Sequence, residues 1–391
     1  MSLASQPIPS FDLHRNYARV KDEINAAVAR VLESQQFIMG SEVSSFEVEA
    51  TSFLGAHRAI ACASGSDALV LSMMALDLKP GDEVITTPFS FFATVSCITR
   101  AGATPKFVDV DPATYNIDLS RLSEAITDRT RAMIPVHLFG QMVPLEQTEK
   151  ELAERHITVV EDSAQAFGSW RRVGDRMIMA GAWGDLGCYS FFPTKNLGCY
   201  GDAGMVTARD DRTADRIAKL RVHGAGKQYF HEEVGLNSRM DALQAAILRV
   251  RLAHLPQWIE ERRAIAERYR LLFEQANLTE FVTPPAELQG NCHTYHQYVI
   301  RAKKRDELMA FMAENGVATR VYYPQSLHLQ KCFASFGGRP GQFPVSEQLT
   351  QEVLALPMFP ELTADEQARV VETMSKFYRK QQLLSPSGSE R

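Results

Sequence analysis

The sequence lacks any pair of cysteines at metal-binding or redox spacing. Its six cysteines, Cys62, Cys97, Cys188, Cys199, Cys292 and Cys332, are scattered along the chain. That excludes the usual zinc frameworks, argues against a disulfide scaffold and fits a reducing compartment. No uncharged apolar run approaches the roughly 18 residues that span a bilayer. Met1 to Phe11 holds no basic stretch followed by an apolar one, so no secretory signal is expected. A dense Lys/Arg stripe is also missing, and the formal net charge is −5. Both argue against a nucleic-acid partner. Two nucleotide motifs fail as well. No turn carries the three spaced glycines of a dinucleotide fingerprint, and Gly226-Lys227 lacks the upstream glycine and following hydroxyl of a P-loop. No internal repeat is visible, and only Ser385 to Arg391 is of low complexity, a tail expected to fray. The expectation is a cytoplasmic protein without a membrane span or a metal site.

What is present suits a globular chain of two domains. It has 391 residues, 45% of them apolar and 23% charged. Val20, Ile24, Ala27, Val28, Val31 and Leu32 mark one face of an opening helix, and a second carries Phe46 and Phe53. Ile60–Ala63 reads as a strand that runs through Ser64-Gly65-Ser66-Asp67 into a helix with Leu69, Val70, Met73 and Met74. Further strands are expected at Val84–Thr87, Lys106–Asp111, Ala132–His137 and Ile157–Asp162, with helices at Ser120–Ile126 and Pro144–Arg155. That alternation predicts βαβ units and a mainly parallel sheet. A long helical region spans about Met240 to Gln275, with a bend or break at Pro256. After it come a strand at Tyr295–Arg301, a helix at Arg305–Glu314 and a strand at Ala318–Tyr323. The expected division is a large α/β domain over 1–250 and a smaller α+β domain over 251–391.

Five stretches bear on chemistry, and each has a plain structural alternative. Cys188 to Gly198 reads as a strand of Tyr189, Phe191 and Phe192, ended by Pro193, that presents Lys195 between the hydroxyls of Ser190 and Thr194. A lysine held there can form a Schiff base with an aldehyde cofactor, or it is merely a surface lysine. Ser64-Gly65-Ser66 at a helix start offers an anion site, or simple capping. Glu161-Asp162 ends an apolar strand at the edge where α/β sheets bind ligands, so a carboxylate there can hold a pyridinium nitrogen. Gln165 can donate to a ring hydroxyl, and Asp162 can instead cap the next turn. Phe89-Ser90-Phe91-Phe92 supplies an aromatic that either stacks on a flat ring or fills the core. Asn237 and Arg239 precede the long helix and suit a phosphate or carboxylate, or lie idle on the surface. Together they make an ordered set along one α/β domain: phosphate turn, ring stacker, carboxylate, lysine.

With these motifs in order the sequence resembles the DegT/StrS type of sugar-nucleotide aminotransferase, from about Ile8 to about Tyr378. The resemblance is carried by Phe37-Ile38-Met39-Gly40, Ser64–Leu69, Pro135–Gln141, Glu161–Gln165, Ser190–Lys195, Asn237–Asp241, Tyr322-Tyr323-Pro324, Leu327-His328-Leu329-Gln330 and Leu356-Pro357-Met358. It implies a fold-type I architecture, with helices on both faces of a mainly parallel sheet, and an obligate homodimer. The implied cofactor is pyridoxal 5'-phosphate, in aldimine linkage to Lys195, with pyridoxamine phosphate as the intermediate. By matching position Asp162 would meet the pyridine nitrogen, Gln165 the ring oxygen and Phe91 the ring face. Gly65, Ser66 and Ser190 would hold phosphate, joined by Asn237 from the neighbouring subunit. Arg239, Tyr322, Tyr323 and His328 would face substrate.

The implied reaction moves the amino group of L-glutamate to a nucleotide-linked keto sugar, with Lys195 as the proton carrier. Dehydratases of the family carry histidine where Lys195 stands, so that branch is set aside. The run Leu197 to Asp202 resembles members that aminate 3-keto sugars, including UDP-2-acetamido-3-keto sugars. Members acting on the uronate have His-Tyr in place of Tyr322-Tyr323, which weakens a uronate assignment. A 3-keto hexose on UDP or dTDP is therefore expected. The alternatives are a 4-keto sugar and, from another class, a cofactor-binding regulator without turnover.

Overall fold

The computed structural model describes residues 6–227 and 229–383, so the tail expected to fray lies outside the described residues. Two helices open it, α1 (Leu13–Ser34) and α2 (Ser41–Leu54). There follow β1 (Arg58–Cys62), α3 (Gly65–Ala75), β2 (Glu83–Thr86), α4 (Phe92–Arg100), β3 (Thr104–Phe107), α5 (Leu122–Ala125), β4 (Thr130–Met133), α6 (Glu149–Glu154) and β5 (Thr158–Asp162). A hairpin of β6 (Trp170–Val173) and β7 (Arg176–Met179) leads to β8 (Leu186–Ser190), β9 (Gly204–Ala208) and α7 (Asp211–Leu220). The central sheet has seven strands in the order β1-β9-β8-β5-β4-β2-β3. Pairing is parallel from β3 to β8 and antiparallel at β8–β9 and β9–β1. The mainly parallel sheet expected from the alternation is therefore present.

Side-chain alternation gives this sheet two buried faces. Ile60, Cys62, Leu186, Cys188 and Val206 pack with Leu69, Met73 and Ile98 on one side. Ala59, Ala61, Tyr189 and Met205 pack with Phe46, Ala245 and Leu252 on the other. Covering that second side is α8 (Ala242–Gln275), a single helix of 34 residues. Pro256 does not break it, contrary to expectation. Leu255, Trp258 and Ile259, which flank the proline, are buried. Their burial offsets the roughly 3 kcal/mol that an interior proline costs.

The end of α8 enters another core. Ile265, Tyr269 and Phe273 pack with β14 (Tyr298–Ala302), α9 (Arg305–Glu314), β15 (Val353–Leu356) and α11 (Ala364–Leu383). This core also takes Ile8 from the start of the chain. The intervening elements are a hairpin of β10 (Ala225–Lys227) and β11 (Phe230–His231), short strands β12 (Val282–Thr283) and β13 (Asn291–Cys292), and α10 (Pro344–Glu352). A three-stranded antiparallel sheet, β12-β14-β15, backs this region.

Besides the helix at Pro256, five expectations need correction. The strand expected at Lys106–Asp111 is β3, which ends at Phe107. Ala318–Tyr323 is not a strand; its extended backbone makes a single bridge, Arg320 with Ala355. The strand expected to run to His137 ends at Met133, because Pro135 has no N–H for the ladder, and only Val136 bridges to Asp162. The strand leading to Lys195 ends at Ser190, with Phe191 and Phe192 beyond it. Helix α4 was not anticipated. Thr94, Val95, Ile98 and Thr99 are β-branched and weak helix formers, so burial of Ala93, Cys97 and Ile98 settles its conformation.

Candidate active site

A cavity of about 670 Å³ opens at the carboxyl edge of β5 and β8. Lining it are Gly65 and Ser66 at the start of α3, Phe91 at the start of α4, Asp162 and Gln165 after β5, and Ser190 and Lys195 after β8. Tyr322 and Tyr323 close it from the opposite side. Nine of the sequence-predicted residues thus converge on one space.

Asp162 is 5% exposed. Its Oδ2 accepts from Thr94 Oγ1 at 2.7 Å and its Oδ1 from the Ala164 amide at 3.2 Å. Burial raises its pKa against those bonds and against the nearby charge of Lys195. Its neighbour Glu161 points to the other face of the strand. There it accepts from the amides of Gly181, Trp183 and Gly184 at 3.0, 2.8 and 2.6 Å. His137 completes that clamp. Its Nδ1 accepts from Val143 at 3.0 Å, so the proton sits on Nε2, which donates to Glu161 at 2.6 Å. The two adjacent acids therefore divide into a structural anchor and a cavity carboxylate.

Lys195 follows a turn in which its own amide donates to the Phe192 carbonyl at 2.8 Å. Burial lowers its pKa to about 8, partly offset by the charge of Asp162. At pH 7 about one amine in ten is then unprotonated, far more than for an ordinary lysine, and a nucleophile or general base requires that form. Gln165 is fixed at both ends of its amide. Its Oε1 accepts from the Phe139 amide and its Nε2 donates to Tyr323 Oη, both at 2.9 Å. Phe91 is 55% exposed and tilted against Tyr323 with ring centroids 6.4 Å apart, whereas Phe89 is buried. The aromatic run is thus split between core and cavity.

The start of α3 is built for close approach. Ser64 caps it by accepting from the Asp67 amide at 3.1 Å. The amides of Gly65 and Ser66, as the first of the helix, need acceptors from outside it. A Cβ on Gly65 would stand 2.5 Å from the Cβ of Ser190, so only glycine lets these segments meet.

Three predicted residues are not brought to the cavity. His328 is buried, its Nε2 donating to Glu347 at 3.2 Å with its ring 4.8 Å from that of Phe343, while its neighbours Leu327 and Gln330 reach the cavity instead. Asn237 and Arg239 flank Ser238, whose Oγ donates to Asp67 at 2.7 Å. Their loop is therefore tied to α3, but neither side chain lines the cavity in this single chain. Conversely, Thr94, His296 and Gln297 were missed. Thr94 lies four residues after Ser90, which it meets at 2.9 Å, a helical spacing that could have exposed it once α4 was recognised. Nothing in the sequence around His296 and Gln297 marked them.

A mainly parallel α/β sheet with a buried carboxylate and a lysine of lowered pKa at its carboxyl edge defines a site for amine and carbonyl chemistry. The chain belongs to the DegT/DnrJ/EryC1/StrS aminotransferase family, whose model matches residues 18–375. A Geobacillus stearothermophilus protein described as a pleiotropic regulatory protein is 47% identical over 373 residues, covering 95% of this chain and 99% of its own. A UDP-N-acetyl-3-dehydro-alpha-D-glucosamine 3-aminotransferase of Acidithiobacillus ferrooxidans is 39% identical over 364 residues, with 93% and 96% covered. Among solved structures, NtdA from Bacillus subtilis with bound cofactor PMP superposes with a TM-score of 0.88 at 29% identity, over 97% of this chain and 86% of that one. Among the described residues no helix is long and apolar enough to cross a membrane.

Proposed function

We propose that this protein transfers the amino group of L-glutamate to C3 of a 3-keto hexose carried on UDP or dTDP, in amino-sugar biosynthesis. The observation that carries the reading is the placement of the Lys195 amine and the Asp162 carboxylate in one cavity with the open end of α3. The Acidithiobacillus relative, named for a 3-dehydro sugar on UDP, supports the carbon and the nucleotide.

The residues fit pyridoxal 5'-phosphate. The cradle of Gly65, Ser66 and Ser190 suits its phosphate, with Asn237 reaching it from a second subunit. Phe91 suits the ring face, Gln165 the ring oxygen and Asp162 the ring nitrogen. When bound, the cofactor supplies an electron sink for the α-carbon of an attached amino acid. Lys195 Nζ takes the α-proton and returns it one atom away, and the same amine reverses the transfer for the sugar. The Asp162 carboxylate, bonded by Thr94 and Ala164 against the burial that raises its pKa, would pair with the ring nitrogen. Tyr322 and Tyr323 face the sugar nucleotide, and Arg239, outside the cavity of its own chain, would reach it from the second subunit.

With this reading go a homodimer sharing its sites and two units, 1–250 and 251–391. Two hydrophobic cores that meet along α8 support two units, with the change of core falling between Ile259 and Ile265 and not at 250. A cytoplasmic location agrees with six free cysteines. A regulator without turnover, the reading the Geobacillus name would favour, gives no reason for an amine held near neutrality beside a buried carboxylate.

The test is spectroscopic. Protein loaded with pyridoxal phosphate loses its visible band on addition of L-glutamate, and regains it with a UDP- or dTDP-linked 3-keto hexose. Faster return with 4-keto sugars would move the assignment to C4. Turnover surviving Lys195→Ala would remove the mechanism.

A further inference from the structure

A second cavity, of about 820 Å³, lies beside the first. Phe192, Thr194, His296, Gln297 and Tyr322 line both. The far wall comes from the start of the chain, Pro9 to His14, and from Arg320, Leu356 and Met358. Arg320 and Tyr322, on either side of Val321, both line this wall. The segment is fixed by backbone bonds between Arg320 and Ala355 of 3.2 and 2.7 Å.

The charge on this wall is unbalanced. Arg320 makes no ion pair with any described residue. The one acid beside it, Asp12, is already engaged. It accepts from the amides of His14 and Arg15 at 2.9 and 3.1 Å and pairs with the Arg15 side chain at 3.2 Å. At the wall between the cavities, His296 is 6% exposed and its Nδ1 has no partner. Its place is set from behind, where Arg262 donates to the carbonyls of Tyr295 and His296 at 3.1 and 3.4 Å. The Gln297 side-chain oxygen is also buried and unpartnered, and either end of that amide can face inward. Buried polar groups without partners are costly, so this grouping points to a ligand that completes it.

We propose that the second cavity seats a carboxylate of the amino donor, paired with Arg320 and steadied by His296 and Gln297. This rests on the aminotransferase reading above and identifies where the donor is selected. One unpaired guanidinium matches one carboxylate in charge and in its forked geometry. A nucleotide diphosphate would bring more negative charge than Arg320 neutralises and would set it near Asp12. The apolar flank of Phe192, Tyr322 and Leu356 suits the methylenes of a dicarboxylic amino acid.

The test uses full-length protein loaded with cofactor, wild type and Arg320→Gln. Glutarate, a dicarboxylate that cannot react, is titrated by calorimetry, with UDP titrated in parallel. The glutamate concentration giving the half-maximal rate of spectral change is measured alongside. Loss of a charge-assisted pair predicts glutarate binding weakened at least about 10-fold and the glutamate concentration raised to match, with UDP affinity unchanged. Arg320→Lys should recover part of the loss. Equal glutarate binding by wild type and Arg320→Gln would overturn the inference. Weakened UDP binding with glutarate unaffected would also overturn it and make the cavity a phosphate site. Wild-type protein inert to glutamate would bring down the aminotransferase reading and this inference together, a result seen before any variant is made.

Discussion

Replacing Lys195 by methionine should stabilise the cofactor-free protein, and only on the acid side of the lysine's titration. The lysine pays for its function by sitting where its charged form is poorly solvated. A fall in pKa from 10.5 to about 8 corresponds to about 3 kcal/mol against the charged folded state. Water in the cavity screens part of this, so about 2 kcal/mol is expected. Below pH 8 the amine is protonated in both folded and unfolded chains, and the full cost applies. Between about pH 8 and 10.5 the unfolded chain holds a proton the folded chain has released, so stability rises with pH. Above that window the cost is gone. Methionine fills similar space without the charge. Urea denaturation of both cofactor-free proteins at pH 6.5 and pH 10 measures the difference, since groups distant from residue 195 titrate alike in the pair. The variant should be more stable by about 2 kcal/mol at the lower pH, and the gap should close at the higher. Loss of the positive charge also raises the Asp162 pKa further, which trims the gain. Equal stabilities at pH 6.5, or a less stable variant there, would refute the assignment of Lys195 as a desolvated amine.

Two further changes test the cofactor cradle. Thr94→Val keeps the shape of the side chain but removes the bond to Asp162 Oδ2, leaving a buried carboxylate oxygen without a partner. The dissociation constant for pyridoxal phosphate in equilibrium dialysis should rise about 10- to 100-fold, and an unchanged value would detach Asp162 from cofactor binding. Gly65→Ala places a methyl group 2.5 Å from Ser190 Cβ and 3.0 Å from its Cα, so the start of α3 must move. A stability loss of about 1–3 kcal/mol and weaker cofactor binding are expected in thermal melts and dialysis. Wild-type behaviour in both would show that the close approach is not needed.

Much of the sheet was legible because burial leaves a periodic trace. The apolar runs at Ile60–Ala63, Val84–Thr87 and Ile157–Asp162 fall on β1, β2 and β5 within about two residues. Helix α9 was placed at its observed ends, Arg305 and Glu314. Where tertiary contacts overrode local preference, the pattern misled. The β-branched α4 hid a helix, Pro256 suggested a break that packing forbids, and Ala318–Tyr323 reads as a strand but finds only one bridging neighbour. Lys195, Asp162, Gln165 and Phe91, expected at the site, line the cavity because each sits at or just beyond a strand end or at a helix start. His296 and Gln297 were not expected there, since they precede β14, a strand far along the chain, and only the tertiary fold brings that strand against the cavity.

The adjacent acids Glu161 and Asp162 show why residue type alone could not assign the site. Both end the same apolar strand, and in sequence either could serve a cofactor. The strand's two-residue period sends them to opposite faces. On one face Glu161 meets three amides and His137, so every bond it can make is internal. On the other, Asp162 receives only Thr94 and Ala164 and keeps access to the cavity. The internal clamp has a consequence for the site. It locks the end of β5 to the segment Gly181–Gly184 and to the turn after His137, whose Phe139 amide in turn holds Gln165. The acid turned away from the cavity thus fixes the backbone from which the other acid and its companion amide project. A carboxylate buried at a cavity wall with only two internal bonds gains a rigid base from the strand's own preceding residue.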